Sequence, residues 1–240
     1  IVDLSLELRD GAPVLEGDPA VRVAAHLCVA EDGYAVSRLA MGSHAGTHAD
    51  APRHIRADGR GIDRVDLRRA IGSADVVDLS DKRAGDDISA ADIESRAPRL
   101  AVHTRLLLRT GWDRVWPDAG YFTDAPGLTA DACELLARRR IATLAMDLPT
   151  VSPRDDGRLH RTLLAAEVLI VEGLARLGAL RDARVLLIAA PLRLAGCDGS
   201  PVRAAAVDGL PAAALDAMDA LDPPDAWSPS QRGCSLRSQT

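Results

Sequence analysis

Ser43-His44-Ala45-Gly46-Thr47-His48-Ala49-Asp50-Ala51-Pro52-Arg53-His54 carries three of the chain's six histidines and one carboxylate within eleven residues, spaced H-x-x-x-H-x-D-x-x-x-H. Imidazole and carboxylate together suit Zn(II), Mn(II) and Fe(II). The residues between them are small or turn-forming, which lets the backbone curl around an ion, and Gly46 permits dihedrals that a side chain forbids. Pro52 argues against a continuous helix, because it lacks a backbone donor and biases Ala51 away from helical geometry. On an extended segment His48 and Asp50, two apart, point the same way. The alternative is a polar loop whose histidines merely titrate; four candidate ligands at this density favour a metal site.

Outward from the motif the chain alternates strands and helices. Residues 1–8 alternate apolar and polar and predict a strand. Val21 to Val29 and Tyr34 to Met41 predict two more, the second running into the histidine stretch. Breakers between Gly11 and Pro19 mark a loop. Downstream, 62–71 predicts a short amphipathic helix ended by Gly72, and Ala74 to Leu79 a strand. Ser89 is placed to cap a helix over 90–97, with Asp92 in its first turn. Thr104 to Arg109 predicts a buried strand and Ile141 to Met146 a central one. Between these two, Thr129 caps a predicted helix over 130–140, whose Arg138, Arg139 and Arg140 suit the C-terminal end of the dipole. The segment from His160 opens helically and turns β-branched at Val168 to Val171; Arg184 to Ala190 is another buried strand. This alternation, without internal repeat, indicates an α/β fold. From Pro223 the chain is rich in Pro, Ser, Arg and Gln. Residues 1–222 are therefore expected to form one domain and 223–240 a mobile tail.

Aromatics number only six, so the core must be built from Leu, Val, Ile and Ala. Trp112, Trp116, Tyr121 and Phe122 lie in one irregular segment, either as a hydrophobic plug beneath a loop or as a wall for an aromatic substrate. Net charge is −6, with no basic stripe interleaved with aromatics, which argues against a nucleic-acid partner. No apolar run approaches the ~20 residues of a membrane span. The first residues lack the features of a secretory signal, and the missing initiator Met implies that residues precede Ile1. Cys28, Cys133, Cys197 and Cys234 are isolated, with no C-x-x-C pair, as in a cytoplasmic protein with reduced thiols.

A second half of the site is needed if the motif holds a metal. His26 and His103 read as structural histidines. His160 follows a loop dense in polar and breaker residues, and Glu172 ends an apolar run where an ionised carboxylate is costly unless paired or on a metal. Three further stretches add weight: Met146-Asp147-Leu148-Pro149, Glu172-Gly173-Leu174, and Asp198-Gly199-Ser200-Pro201-Val202-Arg203. With these and the His44–His54 motif, the sequence resembles the cyclase family from about residue 2 to 207. Characterised members of that family include bacterial kynurenine formamidase (arylformamidase) and isatin hydrolase.

The resemblance implies a single β-rich α/β domain of swivelling β/β/α type, with a mixed sheet and peripheral helices, commonly dimeric or higher. It also implies that His44, His48 and Asp50 hold one divalent metal and that Asp50 bridges to a second held by His160 and Glu172. Zinc is the first expectation, with Mn or Fe as alternatives, and His54 is the acid/base. The expected substrate is a small aromatic or cyclic amide, met by Leu15, Trp112, Tyr121 and Phe122. Where formamidases carry Pro-Val-Trp-Pro-Gly-Asp, this chain reads Pro13-Val14-Leu15-Glu16-Gly17-Asp18, which weakens N-formylkynurenine as the substrate. Three functions follow as expectations: a metal-dependent hydrolase of amides, formamides or lactams; a lyase, dehydratase or cyclase using the same site; and a non-enzymatic metal-binding module. No G-x-S-x-G elbow supports a serine hydrolase.

Overall fold

The computed structural model describes residues 1–97, 99–155 and 157–220. In chain order its strands are β1 (Val2–Asp3), β2 (Arg22–Leu27), β3 (Val36–Ala40), β4 (His48–Asp50), β5 (Ile71–Asp78), β6 (Asp87–Ile88), β7 (Arg105–Arg109), β8 (Gly127–Leu128), β9 (Thr143–Met146), β10 (Leu169–Glu172), β11 (Arg184–Ile188), β12 (Gly199–Pro201) and β13 (Ala205–Val207). Nine of them form one mixed sheet in the order β1-β13-β11-β5-β7-β9-β10-β4-β12. The centre, β5-β7-β9-β10, is parallel. Parallel strands need both faces covered, and Leu106-Leu107-Leu108 and Leu169-Ile170-Val171 are accordingly apolar without interruption and buried throughout. Antiparallel pairs flank this centre, β11 and β13 on one side and β4 and β12 on the other.

Alternate residues feed two separate cores. Leu106, Leu108, Leu144, Met146 and Ile170 meet the helices Ala90–Arg96, Ala130–Arg138 and Arg158–Ala165 on one face. Leu107, Ala145, Val171, Val185 and Leu187 point to the other, closed by Leu4, Ile62, Leu177 and Leu180. Each such Leu contributes roughly 1.5–3 kcal/mol when fully buried. The helix Ala130–Arg138 buries Ala132, Cys133, Leu135 and Leu136, the spacing of a one-faced helix. The fold is thus α/β with a mixed sheet and peripheral helices, as the sequence predicts.

Several local expectations change. Of residues 1–8 only Val2–Asp3 is strand, with an isolated bridge from Ser5 to Leu174. Among the described residues β2 and β3 pair only with each other, and they stand largely exposed. The helix expected over 62–71 is a 3-10 turn (Ile62–Arg64) and one helical turn (Leu67–Ala70), and Gly72 lies within β5 instead of ending a helix. Tertiary packing decides this: Gly72 has φ +151, and a Cβ there would collide with the buried Arg105 guanidinium. Ser89 caps as expected, in a reciprocal capping box with Asp92. Thr129 does not cap through its side chain; its hydroxyl meets Ile88 O and Asp131 instead. Cys28, Cys133 and Cys197 are free thiols. Cys234 and the tail from Pro223 lie outside the described residues.

Candidate active site

β4 is three residues long, buried, and hydrogen-bonded on both sides. Its register sets Glu172 of β10 directly opposite His48, and Gly199 of β12 opposite Asp50. Residues facing each other across an antiparallel pair are close enough to act together. Glycine is required at 199, because a Cβ there would come within 2.7 Å of His44 Cε1 and 2.9 Å of Ala49 O. Thr47 pins the motif: its hydroxyl donates to Gly173 O (2.5 Å) and accepts from the Leu6 amide (2.8 Å).

Three overlapping groups of candidate ligands result, each with its ligand atoms within 4.8 Å of one another: His44–His54–Asp198 at the rim, and the deeper pair His44–His48–Asp50 and Asp50–His160–Glu172, which share Asp50. Both carboxylates straddle the pair. Asp50 Oδ1 lies 2.8 Å from His44 Nδ1 and 3.4 Å from His48 Nε2, while its Oδ2 lies 3.9 Å from His160 Nε2. Glu172 Oε2 is 3.4 Å from His48 Nε2, and its Oε1 is 3.2 Å from His160 Nε2. Asp50 is 1% and Glu172 3% exposed. Their ion pairs run to imidazoles, so burial and partners set every protonation state. Burial opposes charge on His44 and His48, but Asp50, with Glu172 beside His48, outweighs it and raises both. His160 rises to about 10 against burial, through Asp155 and Glu172. Asp50, despite burial, is held well below the carboxylate range by His44 and His48.

This donor set fits a divalent cation. Oxygen and imidazole nitrogen converge, and the outer nitrogens are held as a metal-binding imidazole requires. His48 Nδ1 lies 2.9 Å from Gly46 O, and His160 Nδ1 2.9 Å from Asp155 Oδ2. A cation would take the place of protons now shared between rings and carboxylates.

His54 follows β4 in a 3-10 turn that Pro52 opens. Its ring stands 4.2 Å from that of His44 and 5.9 Å from that of His160, at the rim and 33% exposed. His54 Nδ1 is 3.6 Å from Asp198 Oδ2, which also lies 2.9 Å from His44 Nε2. Asp198 thus bonds the His44 ring and stands near that of His54, and Ser43 Oγ donates to its other oxygen.

Three acids that sequence reasoning did not single out therefore shape the site. Asp198 lay in a quoted motif without a role. Asp155 sat unremarked in the loop before His160; it accepts the Leu159 and His160 amides at the helix N-terminus and the His160 ring as well. Asp147, buried at the end of β9, accepts from the Thr110 hydroxyl and the Thr110 and Gly111 amides, while burial pushes it up to about 6. It fixes the turn from which the aromatic segment departs. The usable signal is an acid within two residues of a Gly or Pro at a strand or loop end.

A cavity of about 250 Å³ opens onto these groups. Of the residues expected to meet substrate, Leu15, Tyr121 and Phe122 line it and Trp112 does not. The Trp112 ring packs on the main core and its indole N–H donates to Tyr121 O (2.9 Å). Trp116 lines the cavity instead, edge-on to Tyr121.

Known proteins resemble this chain in sequence and in fold. Residues 2–153 match the family described as a cyclase. The chain is 33% identical over 209 residues to kynurenine formamidase of Bacillus cereus, covering 85% of this chain and 95% of the relative. It is 36% identical over 174 residues to kynurenine formamidase of Bacillus mycoides, covering 70% and 78%. Among solved structures, an isatin hydrolase bound to the product analogue thioisatinate superposes with TM-score 0.78 at 27% identity, covering 87% and 92%. A potential metal-dependent hydrolase with cyclase activity superposes with TM-score 0.73 at 28% identity, covering 87% and 98%. Matched over well more than half its length, and with the motif residues gathered around one cavity, this chain belongs to the cyclase family.

Proposed function

We propose that the chain is a metal-dependent hydrolase that opens the C–N bond of a small amide, formamide or lactam. One observation carries the reading: two His/carboxylate groups share Asp50, and the imidazole of His54 stands beside them at the rim, grouped instead with His44 and Asp198. His44, His48 and Asp50 would hold one divalent ion and Asp50, His160 and Glu172 a second. Zinc suits such a set first, with manganese or iron as alternatives. A cation there supplies Lewis acidity, polarising a carbonyl and acidifying water.

The remaining chemistry belongs to side chains. His54 accepts the proton of the attacking water as the O–C bond forms and delivers it to the leaving nitrogen as the C–N bond breaks. Asp198, 3.6 Å from His54 Nδ1, stands beside that ring at the cavity rim. Leu15, Trp116 and Phe122 give the cavity apolar and aromatic walls, which favours an aromatic or cyclic amide over a charged one. The relatives' activities, kynurenine formamidase and isatin hydrolase, are both hydrolytic, so a lyase or cyclase reaction is not favoured. Free thiols support a cytoplasmic setting. The free-standing β2–β3 ribbon, with Tyr34 and Leu39 exposed, supports self-association as a homodimer or larger homo-oligomer.

The test is chelation followed by add-back of Zn, Mn or Fe, with turnover measured on N-formylkynurenine, isatin and simple lactams, and with solvent ¹⁸O traced into product. Activity should vanish with the metal and return with it, and one ¹⁸O should enter each product. Full turnover by metal-free protein, or a product without label, sinks the proposal.

A further inference from the structure

Tyr121 is 1% exposed, and its buried hydroxyl has no hydrogen-bond partner among the described residues. The rest of the residue is satisfied: its amide donates to Asp118 O (3.0 Å) and its carbonyl accepts from the Trp112 indole. The ring is clamped edge-on by Trp116 at 5.2 Å and Phe122 at 5.0 Å, so the hydroxyl has a fixed direction. A buried donor left unpaired is costly, and folds seldom retain one without a use. Tyr121 lines the same cavity as His48, His160 and Glu172. Burial, with Asp147, Glu172 and Asp113 around it, pushes the phenol far up, which keeps it a neutral O–H donor.

The polar lining of the cavity is rich in carboxylates. Asp18, Asp50, Asp155 and Glu172 line it as acceptors, and His160 is engaged by Asp155 and Glu172.

We infer that Tyr121 Oη donates a hydrogen bond to the acyl oxygen of the scissile C–N group and strengthens that bond as negative charge builds there. This rests on the hydrolase reading above. As the water oxygen adds to the acyl carbon, the carbonyl π pair moves onto the acyl oxygen and is stabilised by the hydroxyl. The pair returns when the C–N bond breaks and the nitrogen takes the proton from His54. A donor aimed at developing charge acts on turnover more than on binding.

The experiment is Tyr121→Phe measured beside the parent, with kcat, KM, bound metal by elemental analysis, and thermal midpoint. The expected result is a kcat lower by roughly 10²-fold, the loss typical of one oxyanion donor, with KM near the parent's. Metal content should be unchanged and the thermal midpoint equal or higher, since only an unpaired hydroxyl is removed. Parental kcat in fully metal-loaded Tyr121→Phe overturns the assignment, as does a change confined to KM. A lowered thermal midpoint also overturns it, because the hydroxyl then has a partner within the fold. A parent chain inactive on every C–N substrate removes the hydrolase reading and this assignment with it, an outcome distinct from an active parent with an equally active variant.

Discussion

The sheet carries two polar clusters with buried acids, and they are neutralised differently. On the β5–β11 side, Asp75 and Asp219 meet guanidinium groups: Arg99 Nε lies 3.3 Å from Asp75, and Arg184 Nη2 lies 2.6 Å from Asp219, to which Ser73 also donates (2.7 Å). On the β10–β4 side, Asp50 and Glu172 meet imidazoles at 2.8–3.9 Å. A guanidinium is permanently charged and presents a rigid fork, so the first cluster is closed for good. An imidazole, unlike a guanidinium, can lose its proton and then offers a lone pair, so the second can exchange protons for a metal ion. Asp75 is as buried as Asp50 and Glu172, while Asp219 is partly exposed; the cation beside the acids separates a structural cluster from a chemical one.

The largest expected effect comes from breaking the imidazole cluster at its shared member. Asp50→Ala removes a ligand from both groups, and elemental analysis should find the metal lost. Turnover should fall by ~10⁴-fold or more, the scale on which residues acting as one unit fail together. His54→Ala should keep the metal and lose ~10²–10⁴-fold in kcat, the contribution of a positioned acid/base. Metal loss in His54→Ala would move that residue into the ligand set and undo the distinction.

Breaking the guanidinium cluster should do the reverse. Asp219→Ala leaves Arg184 with Asp216 and strips the acid that Ser73, Arg99 and Arg105 face. The expected cost is about 2 kcal/mol of folding stability, at the lower end for a partly exposed pair, read as a shifted denaturant midpoint. Metal content and kcat of the folded fraction should stay parental. Lost metal in Asp219→Ala would mean that the two clusters are coupled through the sheet.

Which of this was legible in sequence follows from the range of the forces. His44, His48, Asp50 and His54 fall in one short stretch, and the two-residue spacing of His48 and Asp50 becomes one face of β4. The buried strands were legible because Leu106–Leu108 and Val168–Val171 are unbroken apolar runs. Pairing Glu172 with His48 needed the strand register, which resemblance supplied and local pattern did not. Asp198 escaped notice because an acid in a loop has no periodicity to mark it; only the fold brings it to His44 and His54. Trp112 and Trp116 are four residues apart and chemically alike, so composition could not say which one faces the cavity. Gly72 looked like a helix stop because its real constraint, the Arg105 guanidinium, comes from another strand.

The smallest effect sharpens the contrast by showing what a fixed cation does at the surface. Lys82, the chain's one lysine, donates to Asp92 Oδ2 (2.8 Å) and to Asp87 O (2.8 Å), beside the capping box of the helix Ala90–Arg96. Burial works against the Asp92 carboxylate, but Lys82 and the Ser89 amide and hydroxyl override it and lower it from 3.8 to about 2. A carboxyl depressed on folding contributes stability above its unfolded value, and that contribution is lost as pH falls through the folded one. Asp92→Asn should therefore cost about 1 kcal/mol at pH 5, the value of a helix cap. The gap from the parent should narrow between pH 5 and pH 3, as unfolded chains take up the proton that the folded parent resists. Urea midpoints of the two proteins at both pH values measure it. A gap that widens toward pH 3 would mean that Asp92 is protonated in the fold and that the lysine does not hold its charge.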